Sequence, residues 1–285
     1  MEYVLEIKDL KKSYPTSNFE LKKLSFSVPY GSIVGFIGEN GAGKTTTMRT
    51  ILGGLQKDAG SIKFFGEEMD TAIIKMRENI GVVFDDFNFS GNLSVNQLSK
   101  VMKNIYNQWN QEVFLHYINV FSLPKGQKVK NFSRGMSMKL SIAVALAHDP
   151  KLLILDEATS GLDPVVREEI LNVFLEFVKD RKHAILLSSH IISDIQKVAD
   201  YLIFIKRGEI ILRVDKEDLL HNYAIFTCTE NELQELDKSS IVAYQKIGEH
   251  VEVLVSNKHN SPRGIIPNDV SIENITMLLL KGEKG

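Results

Sequence analysis

The residues best placed to do chemistry lie together between Gly38 and Thr46, where the chain reads GENGAGKTT. Gly38, Gly43, Lys44 and Thr45 stand at the spacing G-x-x-x-x-G-K-[ST], with Asn40, Gly41, Ala42 and Thr46 completing the loop and the turn after it. The apolar run Ile33 to Ile37 before it predicts a buried strand, and Thr45 to Leu52 predicts the opening of a helix. Backbone N–H groups at such a helix start converge on one point and carry the positive end of the helix dipole. A polyphosphate fits there because no bulky side chain intrudes. The expected ligand is a nucleoside triphosphate.

A second feature follows at LLILDE, Leu152 to Glu157, where four apolar residues run straight into two carboxylates. A buried strand that delivers acids at its tip suits metal and water chemistry. Asp156 is placed to hold Mg²⁺ through its water shell, together with the hydroxyl of Thr45. Glu157, one residue on, is the candidate general base or water-orienting group.

The elements that must position these groups follow from patterning. Ile33 to Ile37, Ile80 to Phe84, Leu152 to Leu155 and Ala184 to Leu187 read as buried strands, several of them separated by helical patterns. That alternation predicts a parallel α/β core with its ligand at the carboxyl ends of the strands. Tyr3 to Ile7 and Leu24 to Val28 read as strands of a small antiparallel sheet. From Ser94 to about His148 an inserted block of three amphipathic helices is expected: SVNQLSKVMKNIYNQW, QEVFLHYINVFSL and RGMSMKLSIAVALAH. Tyr201 to Ile205 and Glu209 to Leu212 form a strand pair turning through Arg207 and Gly208. Beyond Val214 the chemistry-bearing motifs stop, although Ile225 to Thr229 and Val251 to Val255 still read as strands. Residues 1–214 are therefore expected to form the nucleotide-binding domain, with helices at about 90–150, and 215–285 a small accessory module.

Composition bounds the function. The chain has 285 residues, 44% hydrophobic and 25% charged, with 34 basic and 36 acidic residues for a formal charge of −2. No global field draws it to nucleic acid or to an anionic membrane surface. A single cysteine, Cys228, and the absence of a basic-then-apolar opening segment point to the cytoplasm. No apolar run approaches the roughly 18 residues needed to span a bilayer. If the protein works at a membrane, another chain spans it.

The stretch NFSRGMSMKLSIAVALAHDPKLLILDEATSGLDP, Asn131 to Pro164, resembles the block running from the signature to the D-loop of ATP-binding cassette (ABC) ATPases. The resemblance covers nearly all of residues 1–214. It implies the α/β phosphate-loop NTPase fold of ABC ATPase type, with an antiparallel β subdomain, an inserted helical subdomain and a small C-terminal α+β module. It also implies ATP and Mg²⁺ as cofactors and a dimer sandwiching the nucleotide. Phe132-Ser133-Arg134-Gly135-Met136 occupies the place of the family's LSGGQ. Ser133 and Gly135 would bind the γ-phosphate of ATP held by the opposite subunit, and Ser133 would also cap the helix that starts there. Tyr14, in KKSYP, matches the aromatic that stacks on adenine, and Asp163, in Ser160-Gly161-Leu162-Asp163, matches the loop crossing the dimer interface. His190, in LLSSH, matches the switch histidine at the γ-phosphate.

One position departs from the family. In IGVVFDDFNFSGNLSV the glutamine that follows the strand is replaced by Asp85, which would add a negative charge beside Mg²⁺. The residues thus expected at the metal are Thr45, Asp156 and Asp85; those expected in catalysis are Glu157, His190 and Lys44. The form of the signature and the single cassette resemble ATPase subunits of ABC-2-type bacterial exporters of peptides, antibiotics or other small molecules. That reading implies one or more integral membrane permease partners, pairing with itself or a related ATPase, and a peripheral place on the inner face of the cell membrane. An importer subunit would carry the same catalytic residues. A soluble mechanoenzyme of translation or DNA repair usually carries two cassettes or a long coiled-coil insertion, and a phosphate-loop kinase or GTPase has no use for the signature. Phe87, Phe89 and Trp109 are aromatics available to a docked partner or to the core of the helical block itself.

Overall fold

A computed structural model of the chain, describing residues 2–69, 76–85, 89–258 and 270–284, turns the apolar runs into the centre of a six-stranded sheet. Its order is β10-β9-β3-β8-β7-β6, built from β3 (Ile33–Ile37), β6 (Ile80–Val83), β7 (Leu152–Asp156), β8 (Ala184–Ser189), β9 (Tyr201–Lys206) and β10 (Glu209–Asp215). All neighbours pair parallel except β9 with β10, an antiparallel hairpin. At the turn between them Arg207 and Gly208 both have positive φ, 49° and 74°. A side chain at Gly208 would meet the Glu20 carbonyl at 1.8 Å, so only glycine turns there.

Alternate residues of these strands serve two different cores, as a pleat with both faces covered requires. Ile33, Ile37, Leu153, Leu155, Ile185, Leu187, Leu202 and Phe204 pack on one face. Val34, Phe36, Leu152, Ile154, Ala184, Leu186, Ile203 and Ile205 pack on the other. The second face is closed by α1 (Lys44–Ile51), through Met48 and Ile51, and by a four-stranded antiparallel sheet. That sheet has the order β2-β1-β4-β5 and joins β1 (Tyr3–Tyr14), β2 (Ser17–Pro29), β4 (Ala59–Phe64) and β5 (Glu67–Glu68). β1 and β2 run longer than their alternation suggests, since register shifts within their pairing interrupt the period of two.

The first face is covered by helices. The inserted block consists of α2 (Val95–Ile105), α3 (Gln111–Val120) and α4 (Arg134–Leu146), and α5 (Pro164–Phe177) and α6 (Ile192–Val198) follow the later strands. α2 stops short of Trp109 because Tyr106 is extended and the Asn107 and Gln108 amides donate to the Glu78 carboxylate. Trp109 packs on Phe114 with ring centroids 5.1 Å apart, and Phe89 also packs against this core; Phe87 lies outside the described residues.

After β10 come α7 (Lys216–Asn222), β11 (Ala224–Cys228), α8 (Glu230–Glu235), β12 (Ile241–Ile247), β13 (His250–Val255), α9 (Ile272–Lys281) and β14 (Glu283–Lys284). The strands form an antiparallel sheet of order β11-β13-β12-β14. Thr229 leaves the strand to cap α8, accepting from the Glu232 amide. One face of this sheet has its own small core around Phe226, Val251 and Val253. The other joins the main core through Ile225, Ala243 and Leu254, together with Ile272, Ile275, Leu278 and Leu279 of α9. Burying each leucine or isoleucine side chain here contributes about 2 kcal/mol. Lys206 Nζ of β9 donates to the Gly282 carbonyl at 2.7 Å, fastening the end of α9 to the central sheet.

Candidate functional site

The chain leaves β3 at Gly38 and enters α1 at Lys44 by way of Gly43, whose φ of 113° leaves it as a cap without a side chain. A Cβ there would lie 2.9 Å from both Leu21 and Phe19 of β2. The loop is held from behind, where the Gly208 amide donates to the Ala42 carbonyl at 2.9 Å. Lys44 is 5% exposed and folds back over the loop, donating to the carbonyls of Gly38 at 2.7 Å and Glu39 at 3.2 Å. Asn40, Gly41, Gly43, Lys44, Thr45 and Thr46 line one cleft of about 370 Å³ with Phe19 and Glu157. Beside Gly41 a Cβ would meet nothing within 4 Å, so the cradle stays open for phosphate oxygens.

Glu157, the residue after β7, reaches this cleft, and Asp156 lies behind it without lining it. Asp156 is 3% exposed and accepts from the Ser188 hydroxyl at 2.6 Å. Glu157 then adopts φ 54°, an uncommon value for a non-glycine residue, with its amide donating to the carbonyl and hydroxyl of Ser188. That turn lays its carboxylate across the site. Oε1 lies 3.1 Å from Lys44 Nζ, and Oε2 lies 2.7 Å from His190 Nδ1. Lys44, Glu157 and His190 are therefore one chain of contacts, although they come from three separate segments.

The open cradle around Gly41 and Lys44 fits the phosphates of ATP. Among the described residues no cluster of three or more His, Cys, Asp or Glu could hold a metal alone. One hydroxyl and one carboxylate suit Mg²⁺, which keeps several waters and takes its remaining oxygens from phosphates.

The other expected residues gather elsewhere. Ser133 is exposed and caps α4, its Oγ accepting from the Met136 amide at 3.2 Å. Gly135 lies beside Val166, where a Cβ would make only ordinary contact at 3.5 Å. Asp163 caps α5, accepting from the amides of Val165 and Val166 at 3.1 Å, with Pro164 as the first helical residue. Asp85 is exposed and its carboxylate is ion-paired with Arg134. Ser133, Gly135, Asp163 and Asp85 do not line the phosphate cleft.

At the nucleoside end, Tyr14 sits half-exposed at the β1–β2 turn, with Lys12 Nζ 5.5 Å from its ring, and does not line the cleft either. Phe19 does, and sequence reasoning passed over it. Its signal was the alternation that puts Phe19 and Leu21 on the same face of β2.

Comparison with known proteins agrees with this geometry. Residues 21–160 match the family model described as ABC transporter. The chain is 36% identical over 231 residues to the lantibiotic transport ATP-binding protein SrtF of Streptococcus pyogenes, covering 78% of this chain and 98% of that protein. It is 33% identical over 221 residues to the bacitracin transport ATP-binding protein BcrA of Bacillus licheniformis, covering 77% and 72%. A solved structure of the ATP binding subunit of an ABC transporter superposes with a TM-score of 0.68 at 26% identity, covering 76% of this chain and 91% of that one. With a closed lysine, glutamate and histidine around a phosphate cradle and these relatives, the chain belongs to the ABC transporter family as one of its ATP-binding, ATP-hydrolysing cassettes.

Proposed function

We propose that this cassette is the ATPase subunit of a bacterial ABC-2-type exporter of peptide or antibiotic cargo, acting as a nucleotide-sandwich dimer on a separate membrane-spanning permease. One observation carries the reading: a capped helix start at Ser133 and Gly135 lies apart from the chain's own phosphate cleft. Such a start is an anion site. It is used when a second cassette, identical or related, brings its ATP. The lantibiotic and bacitracin relatives support the cargo class. None of the described helices is long and apolar enough to cross a membrane, which suits a peripheral subunit on the inner face driving another chain. Residues 1–214 are the ATPase unit in this reading, and 215–285 the accessory module.

Each side chain has a role. Lys44 exchanges Glu157 for the β- and γ-phosphate oxygens, and the freed carboxylate orients the attacking water while His190 holds it from the far side. Thr45 and Asp156 would hold Mg²⁺, which neutralises charge on the transferring group when bound. Tyr14, with Phe19, flanks the adenine. Ser133 and Gly135 receive the γ-phosphate from the opposite cassette, and Asp163 fixes the loop that crosses between them. Loss of that phosphate reopens the dimer.

The test is affinity purification of the Glu157→Gln chain from its native membrane with ATP and Mg²⁺. A co-purifying polytopic membrane protein is the expected result. Ribosomes, nucleic acid or a soluble ATP-bound dimer alone would overturn the exporter reading in favour of a soluble mechanoenzyme.

A further inference from the structure

Arg134 and Asp85 are 49 residues apart, and each occupies a place where the chain departs from the family pattern: the glycine after the signature serine and the glutamine after β6. In the folded chain the two departures meet. Arg134 Nη2 donates to Asp85 Oδ1. The same guanidinium lies over the Ser160–Asp163 loop, where a Cβ on Gly161 would be 3.2 Å from Arg134 Cζ and 3.3 Å from Nε. One side chain therefore ties the start of α4 to two other segments. Arg134 and Asp85 also border a cleft of about 170 Å³ between the end of β6 and α4, lined further by Phe84, Phe132 and Met138.

Electrostatics explains why the two charges go together. Arg134 is the first residue of α4, whose first turn carries no acid of its own. A cation at a helix N-terminus opposes the helix dipole. Asp85 supplies the missing carboxylate from another segment, and Arg134 in turn occupies that carboxylate. A glutamine at position 85 could accept a hydrogen bond but would leave the arginine's charge unbalanced.

We propose that the Asp85–Arg134 pair is a latch that makes Phe84 and Asp85 at the end of β6, the start of α4 and the Gly161 loop move as one body, with Arg134 a positioning residue for Ser133 and Asp85 no ligand of the metal. The inference rests on the proposed role of Ser133 in a sandwich dimer. Opening the latch leaves Ser133 capped but lets the helix start drift from the loop that crosses to the second cassette.

The test is a double-mutant cycle on ATP hydrolysis, with Asp85→Ala, Arg134→Ala, the double variant and the exchanged pair Asp85→Arg with Arg134→Asp. Each single variant is expected to lower kcat by about two- to fivefold, the range of an exposed ion pair, with half-saturating Mg²⁺ unchanged. The double variant should be no slower than the worse single one, and the exchanged pair should recover at least half of the loss. Any of three results would overturn the latch: losses that multiply or are absent, a changed Mg²⁺ requirement in Asp85→Ala alone, or a loss of a hundredfold in Arg134→Ala alone. The last would make Arg134 a direct phosphate ligand. A Glu157→Gln control, run alongside, loses turnover whichever way the cycle falls, so a failure of the base assignment reads separately.

Discussion

The phosphate-loop side and the signature side of this cassette are built on opposite principles. Around Lys44 most of the polar groups are buried and paired, Lys44 with Glu157 and Asp156 with Ser188, and the exposed His190 closes on Glu157 from the solvent side. Around Ser133 the functional groups are exposed, and what pairs them is a surface ion pair and two helix caps. A buried network is costly to disturb because every lost partner leaves a desolvated group behind. An exposed one is cheap to rearrange. The rigid half suits chemistry, and the adjustable half suits an interface that opens and closes.

The largest effect that would sharpen this contrast is Lys44→Ala. It removes the phosphate cation and leaves the Glu157 carboxylate, 13% exposed, without its ammonium partner. ATPase activity should fall by about a hundredfold or more. Turnover near the wild-type rate would show that the buried half is not the chemical one. Next in size, Ser133→Ala should cost about 1 kcal/mol of stability as a lost cap. It should also lower turnover by about tenfold, the worth of one hydrogen bond to a charged group, while binding of a fluorescent ATP analogue to dilute protein stays unchanged. Weakened binding in the dilute chain would place Ser133 in its own cleft and erase the comparison.

The smallest effect concerns the helices that carry the signature. His148 is fully buried, its ring stacked on Tyr106 at 4.1 Å and its Nδ1 2.9 Å from the Glu78 carbonyl. Burial pushes its pKa below the usual histidine value. The unfolded chain then binds more protons than the folded one as pH falls below about 6.5, so the stability His148 contributes is present above that pH and lost on acidification toward the lower folded value. The melting temperature should fall more between pH 7.5 and 5.5 in the wild type than in His148→Gln. Equal pH slopes would count against a neutral, buried imidazole.

The buried half of the site was legible in the chain because its information is local. Gly38 to Thr46 lie within one strand-to-helix turn, and LLILDE carries both its apolar strand and its acids in six consecutive residues. Strand registers and helix ends were less so. α2 ends where Glu78, a residue from before β6, captures the amides of Asn107 and Gln108, which no periodicity within the helix reveals. β12 was missed because its residues from Ile241 to Ile247 are mostly half-buried, blurring the alternation that marks a strand. The accessory module read as separate because its motifs carry no chemistry, yet α9 is buried in the main core.

By itself the sequence determined the phosphate cradle, the acids at the tip of β7, the parallel core and the family, since each is written in contiguous residues whose spacing has one physical use. Only tertiary structure decided that Glu157 bridges Lys44 and His190, that Phe19 lines the cleft, and that Asp85 meets Arg134. Those contacts join segments from 19 to 190, and a one-dimensional pattern carries no distance between them. The packing of alternate strand faces into two cores sets those distances, because it fixes where each strand end stops.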